Sequence, residues 1–205
     1  MAETRRPVPK IGVDMLYVAP VTKDDETGTT YGTAVRLPGL NNIGYDPSTQ
    51  SATYDADDGT YVSFAADGTT TVTVKVADLL SEHYAMLLGL EQTAEGVVEE
   101  GTADSPPEMA LGWRSQKSDG SYRFVWVLKG KFAKSAETYA TKSGSGVTYN
   151  DRELTYTALN RIADGKKRRQ LDSDDPKLPA GTTLAALSDP DTGWFSSPDF
   201  EPAGG

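Results

Sequence analysis

The stretch MALGWRSQKSDGSYRFVWVLKGKF, residues 109–132, decides the fold of this chain. Met109, Leu111 and Trp113 alternate with Ala110, Gly112 and Arg114. After Ser118-Asp119-Gly120, Tyr122, Phe124, Trp126 and Leu128 alternate with Arg123, Val125, Val127 and Lys129. A period of two places successive side chains on opposite faces of a sheet. The Asp-Gly pair suits a tight turn, because both residues tolerate positive φ. The stretch therefore reads as a β-hairpin. Its second strand is apolar on both faces, so the hairpin must be covered on both sides, by its own fold or by a neighbouring subunit.

Working outward, residues 70–76 alternate as well, with Val72, Val74 and Val76 facing one way. Residues 11–18 and 31–37 read as strands, the latter ended by Pro38-Gly39. APVTKDDETGTT between them reads as a long polar loop. Residues 40–70 are expected to hold strand fragments interrupted by DPSTQ, ADDG and AADG, as a long hairpin with an extended acidic loop. Residues 79–88 carry the one good helical pattern, with Asp78 as N-cap, Gly89 as an αL C-cap, and Leu80, Tyr84, Leu87 and Leu88 as the apolar stripe. Residues 91–108 read as an acidic excursion, and 132–141 and 147–159 as two more strands. DGKKRRQLDSDDPK reads as exposed loop. Residues 1–10 and 176–205 are expected to be polar arms flanking one β domain at 11–175, because their prolines sustain neither ladders nor helices. Both arms are expected to order only on assembly. Trp194-Phe195 is the exception within the second arm, expected to be an exposed docking anchor for a neighbour.

Gly 20 and Pro 12 against 37% hydrophobic residues suit a turn-rich β protein. With no cysteine, disulfides, thiolate metal sites and cysteine nucleophiles are excluded. MAETRRPVPK lacks the apolar core of a secretory signal, and no stretch is long and apolar enough to span a membrane as a helix. The net charge of −10 is unevenly spread: residues 44–108 hold 13 acids and one base, whereas residues 109–170 hold 13 bases and 5 acids. Such blocks are ordinarily solvated surface. On an assembling protein, they can instead meet on successive copies in a head-to-tail contact.

The residues offer little for catalysis. His83 is the one histidine, there is no G-x-S-x-G elbow, and SGSG at 143–146 lacks the lysine and helix of a phosphate loop. Asp55, Asp57 and Asp58 before Gly59 lack the position-12 glutamate of a calcium loop, where Ala66 stands. KKRR at 166–169 is a weak nucleic-acid footprint in so acidic a chain. No enzyme, cofactor or metal site is expected.

The aromatic hairpin, together with TYGTAVRLPGL (30–40), ATYDADDGTY (52–61) and TVTVKVADLLSEHYAMLLG (71–89), resembles the major tail proteins of long-tailed, non-contractile bacteriophages of Gram-positive hosts. The likeness spans residues 10–160 in order as well as in content. It implies an antiparallel β-sandwich or half-barrel with one flanking helix, whose copies form stacked, hexameric rings that conduct DNA from the capsid. It implies as partners the protein itself and the tape measure, distal tail and tail terminator proteins, with DNA passing transiently, no membrane, and assembly in the host cytoplasm into the virion tail. The residues expected at subunit or ring contacts are Tyr45, Tyr54, Asp55, Asp57, Asp58 and Tyr61 of the acidic loop, the basic residues Arg114, Lys117 and Arg123 that would meet it, and Trp194 and Phe195. The alternative is a monomeric β-sandwich binding or adhesin module.

Overall fold

The structure, a computed structural model, describes residues 6–137, 139, 141 and 150–202. Eleven strands, two helices and one 3₁₀ turn are described. The strands are β1 (Lys10–Asp25), β2 (Gly28–Tyr31), β3 (Val35–Leu37), β4 (Leu40–Ala56), β5 (Gly59–Val76), β6 (Glu91–Gln92), β7 (Val98–Glu99), β8 (Met109–Lys117), β9 (Tyr122–Ala133), β10 (Arg152–Ala158) and β11 (Arg168–Asp172). Helix α1 (Ser81–Leu88) follows β5, and α2 (Leu184–Ser188) and the 3₁₀ turn Trp194–Ser196 follow β11.

Nine strands form one antiparallel sheet in the order β2-β1-β8-β9-β10-β5-β4, with β3 paired to β1 and β11 to β9. In a flat sheet β1 and β4 would lie five strand spacings, about 24 Å, apart. Yet their Cα atoms come within 8 Å of each other. The sheet is therefore curled into a half-barrel. It is not closed, because β1 and β4 share no ladder.

The aromatic hairpin sits at the centre of this sheet, and both of its faces are buried. On one side Met109, Leu111, Trp113, Val125 and Val127 join Leu16, Val18, Val72, Val74, Val76 and Tyr156. Helix α1 seals this side with Ala85, Leu87 and Leu88. On the other side Phe124, Trp126 and Leu128 pack with Tyr17, Ala19 and Ala110 under Leu187, Trp194 and Phe195. The register shift between Met109↔Gly130 and Leu111↔Val127 is a β-bulge in β9. It reverses the face of the residues that follow, so Leu128 belongs to the second core and Phe132 to the first. There β9 also changes neighbour, from β11 to β10.

The helix ends at Gly89 in the αL conformation, as its sequence predicts, but it starts at Ser81. Asp78 is not the N-cap: its carboxylate accepts from Leu79 N, and Leu80, in extended geometry, takes the cap position. Leu80 lies exposed, so the buried stripe runs through Ala85, Leu87 and Leu88 instead. The polar run after residue 20 is not a loop but the end of β1 turning into β2. KKRRQLD, read as loop, contributes β11, because β9 leaves an edge there that needs a partner. The strand expected at 147–159 is β10 from Arg152; residues 147–149 lie outside the described residues.

The largest departure is the C-terminal segment. Within the expected arm, residues 178–200 run across the sheet and supply its second core; residues 203–205 lie outside the described residues. Trp194 and Phe195 are 2% and 0% exposed, so they are not an exposed anchor. The Phe195 ring stacks on Tyr17 at 4.7 Å, and Trp126 Nε1 donates to Trp194 O at 2.9 Å. The physical reason is the second apolar face of β9, which something in the chain must cover.

Replacing Trp194 by Ala should lower stability by about 3–5 kcal/mol, the usual range for emptying a large aromatic site in a core. Urea unfolding of the free subunit measures this. An unchanged midpoint would return Trp194 to the role of a surface anchor.

Candidate subunit interface

Beyond Thr70, where β5 loses its pairing with β10, strands β4 and β5 continue alone as a two-stranded arm. Ten residues of β4, Pro47–Ala56, make it about 30 Å long. The turn at its tip is Asp57-Asp58, with φ of 51° and 62°. Positive φ at both central positions is the type I′ geometry that suits the twist of a hairpin, and Asp is among the few residues that tolerate it. The acidic element is thus a continuous hairpin rather than an extended loop. Pro47 does not break β4, because β4 is an edge strand whose outer N–H groups have no ladder to donate to.

Register makes the arm amphipathic. Pairs Gln50↔Ala66, Ala52↔Phe64 and Tyr54↔Val62 share one face, and Thr49↔Asp67, Ser51↔Ala65 and Thr53↔Ser63 the other. Tyr54 is 67% exposed and Phe64 66%, with Val62 and Tyr61 also open to solvent. An exposed apolar face of this kind marks an interaction surface. Asp57 and Asp58 stand exposed at the tip, and among the described residues neither has an ion-pair partner. Asp55 lies in β4 opposite Thr60. Tyr45 is set apart from this group: it lies at the base of the arm, under the Arg168 guanidinium at 4.5 Å.

The basic residues expected to meet the acidic element are engaged within the chain. Arg114 grips Asp14 through Nε and Nη2 at 2.8 and 2.6 Å. Lys117 Nζ lies 2.8 Å from Asp174, and Arg123 makes a two-pronged contact with Asp172 at 2.7 and 2.8 Å. These cations tie the central hairpin to β1, to the end of β11 and to the residues just after it. They are not free to receive another copy's aspartates. The KKRR run is likewise employed internally: Lys167 reaches Thr70, and Arg169 holds the Pro198 and Phe200 carbonyls and the Glu201 carboxylate. Lys166 is the residue of the four that projects most, toward Asp164.

A second charged cluster lies by the bulge. The Lys129 ammonium and the Asp24 carboxylate, both almost fully buried, meet at 2.7 Å, and Glu108 approaches Lys129 at 3.1 Å. Burial alone would raise the Asp24 pKa, but Lys129 and the N–H groups of Ile162 and Ala163 outweigh it and hold the carboxyl well below its usual range. Arg161 bridges Asp164 and Asp199, and its partnership draws Asp164 down to about 2. Arg123 does the same to Asp172, also to about 2. Arg161 thus fastens the C-terminal cover to the sheet edge.

His83 keeps most of its ring from solvent, beside Glu82, and its Nδ1 is buried without a partner. Among the described residues, no three His, Asp or Glu side chains converge as a metal site. Among the described residues, no helix is long and apolar enough to cross a membrane.

Phe64 and Val62 escaped the sequence reading, although the alternation Val62-Phe64-Ala66 opposite Ala52 and Tyr54 carried the signal. The fold is thus a curled antiparallel sheet with a projecting two-stranded arm that exposes an apolar face. Residues 47–186 match the family model described as phage tail tube protein, which is more than half of the chain. The chain belongs to the phage tail tube protein family, and so is a structural component of a phage tail. No curated protein matches it.

Below pH 4 the subunit should lose stability steeply. Asp24, Asp164 and Asp172 have folded pKa values below their unfolded value near 3.9, so their contribution is full above about pH 4 and is lost as pH falls, toward about 2 for Asp164 and Asp172 and lower still for Asp24. Thermal unfolding followed across that range should show it, and Asp172→Asn should flatten the slope.

Proposed function

We propose that copies of this chain assemble into rings, six to a ring, that stack into the hollow tail tube of a long-tailed, non-contractile phage of a Gram-positive host, and that the tube conducts DNA at ejection. The observation that carries this reading is the amphipathic β4–β5 arm, whose apolar face lies exposed, with no partner among the described residues. A half-barrel with an unpaired edge at β4 supports it further. Edges left open in one subunit are covered when neighbouring sheets join into a continuous barrel. The role is structural, with no bond made or broken. The tape measure, distal tail and tail terminator proteins are the partners this role calls for, and assembly takes place in the host cytoplasm.

Charge fits a conduit. The chain carries −10, and most of its cations are neutralised internally, so an assembled ring presents net negative charge to solvent. Like charge keeps a passing polyanion from adhering to the wall.

Replacing Thr53–Ser63 by Asn-Gly, which joins the paired residues Ala52 and Phe64 through a two-residue turn, should leave a folded subunit that no longer builds tubes. Circular dichroism and negative-stain microscopy read the two properties separately. Unchanged tubes would remove the arm from assembly, and a chain that never forms rings in any ionic condition would favour the monomeric binding module.

Duplex DNA titrated against assembled tubes should bind weakly even at low salt, without the steep salt dependence of many phosphate contacts. Tight binding that collapses with salt, and that vanishes when Lys166, Lys167, Arg168 and Arg169 become Ser, would contradict the conduit.

A further inference from the structure

The seam where the half-barrel fails to close is a cleft of about 530 Å³. One wall is the start of β1, Lys10–Val13, and the other is the base of β4, Asn41–Tyr45. Its floor is apolar, with Trp113 and Val125, and basic side chains stand over it: Lys10, Arg123 and Arg168. Arg123 is satisfied by Asp172. Lys10 has no ion pair among the described residues, and its pKa is lowered by partial burial and by the neighbouring Arg123 and Arg168 guanidinium groups. Arg168 spreads over the Tyr45 ring, with its Nε buried and without a hydrogen-bond partner. Asp172 offsets part of this charge through Arg123 and Lys10, and the cleft thus combines an apolar base with an excess of positive charge.

The tip of the chain's own β4–β5 arm has the complementary character. It carries exposed Tyr54, Tyr61 and Val62 beside uncompensated Asp57 and Asp58. Building on the tail-tube reading, we infer that the seam cleft between β1 and β4 receives the β4–β5 tip of a second copy of this chain.

Geometry supports a contact between copies rather than within one. Twelve residues of extended strand separate Tyr45 at the cleft from Asp57 at the tip, about 40 Å. A hairpin cannot fold back over that distance onto its own base. A copy displaced along the arm by about the same length presents its tip at the cleft, and that copy's own cleft remains open to the next. Such a contact uses two different surfaces and does not close on itself, so it propagates as a filament. Aspartates entering beside Lys10 and Arg168 would offset the mutual repulsion of the cations, while Tyr54 and Val62 cover the Trp113 floor.

The chain has no cysteine, which makes a site-specific crosslink clean. Full-length chains carrying Thr60→Cys at the tip are mixed with tagged chains carrying Ile11→Cys at the cleft rim, and oxidised under assembly conditions. Both positions are exposed, and neither alters the charges invoked. A parallel mixture pairs Thr60→Cys with Glu95→Cys, in the turn between β6 and β7. The tip–cleft mixture should give at least tenfold more disulfide-linked heterodimer than the control mixture. Equal yields from both, with tubes present by microscopy, would overturn the cleft assignment while leaving the tube reading intact. Failure of the unmodified chain to assemble at all would overturn both.

Discussion

Strand β9 carries bulky apolar side chains on both faces, and neither face can be left in water. Phe124, Trp126 and Leu128 on one side and Val125 and Val127 on the other are each worth about 1.5–3 kcal/mol when buried. One side is satisfied by curling the sheet and plugging it with α1. The other is satisfied by the C-terminal segment between Leu178 and Phe200. The half-barrel, the helix position and the course of the C-terminus are all consequences of this central strand. So is Gly112: it lies opposite Trp126, and a Cβ there would meet the indole ring at 2.7 Å.

Electrostatics follow the same plan. The basic block of residues 109–170 falls largely on the strands that β9 organises, where charges could not be left unpaired. Arg114, Lys117, Arg123, Lys129 and Arg161 are therefore matched with carboxylates from β1, β11 and the C-terminal cover. Breaking a buried pair such as Lys129–Asp24 strands a charge, at a typical cost of about 3–5 kcal/mol. The acids of the β4–β5 arm have no such claim on the interior. Asp57 and Asp58 remain on the surface at the tip, beside exposed aromatics, and the open seam carries Lys10 and Arg168.

The family to which the chain belongs gives this residue of unsatisfied surface a purpose. A protein that lives as a monomer hides its sheet edges and apolar faces, because they invite association. A tube subunit keeps them, provided that each unsatisfied surface has its complement on another copy. The projecting arm and the seam are the two ends of one such complement in the reading favoured here.

Alternation was enough to determine the aromatic hairpin, the Val72–Val76 strand and the helix end at Gly89, because period, turn chemistry and capping are local. It also required that both faces of residues 122–129 be covered, without saying by what. Only the tertiary structure decided that the cover is intramolecular. Trp194 and Phe195 are followed by prolines and polar residues, and nothing local distinguishes a docked segment from a free arm. The partners of Arg114, Lys117 and Arg123 were invisible for a similar reason: Asp14 is 100 residues from Arg114, and Asp172 is 49 from Arg123. The continuity of β4 and β5 was hidden by Pro47 and by Asp and Gly residues that ordinarily punctuate strands. An edge position and a type I′ turn accommodate them, and both are properties of the folded sheet, not of the residues themselves.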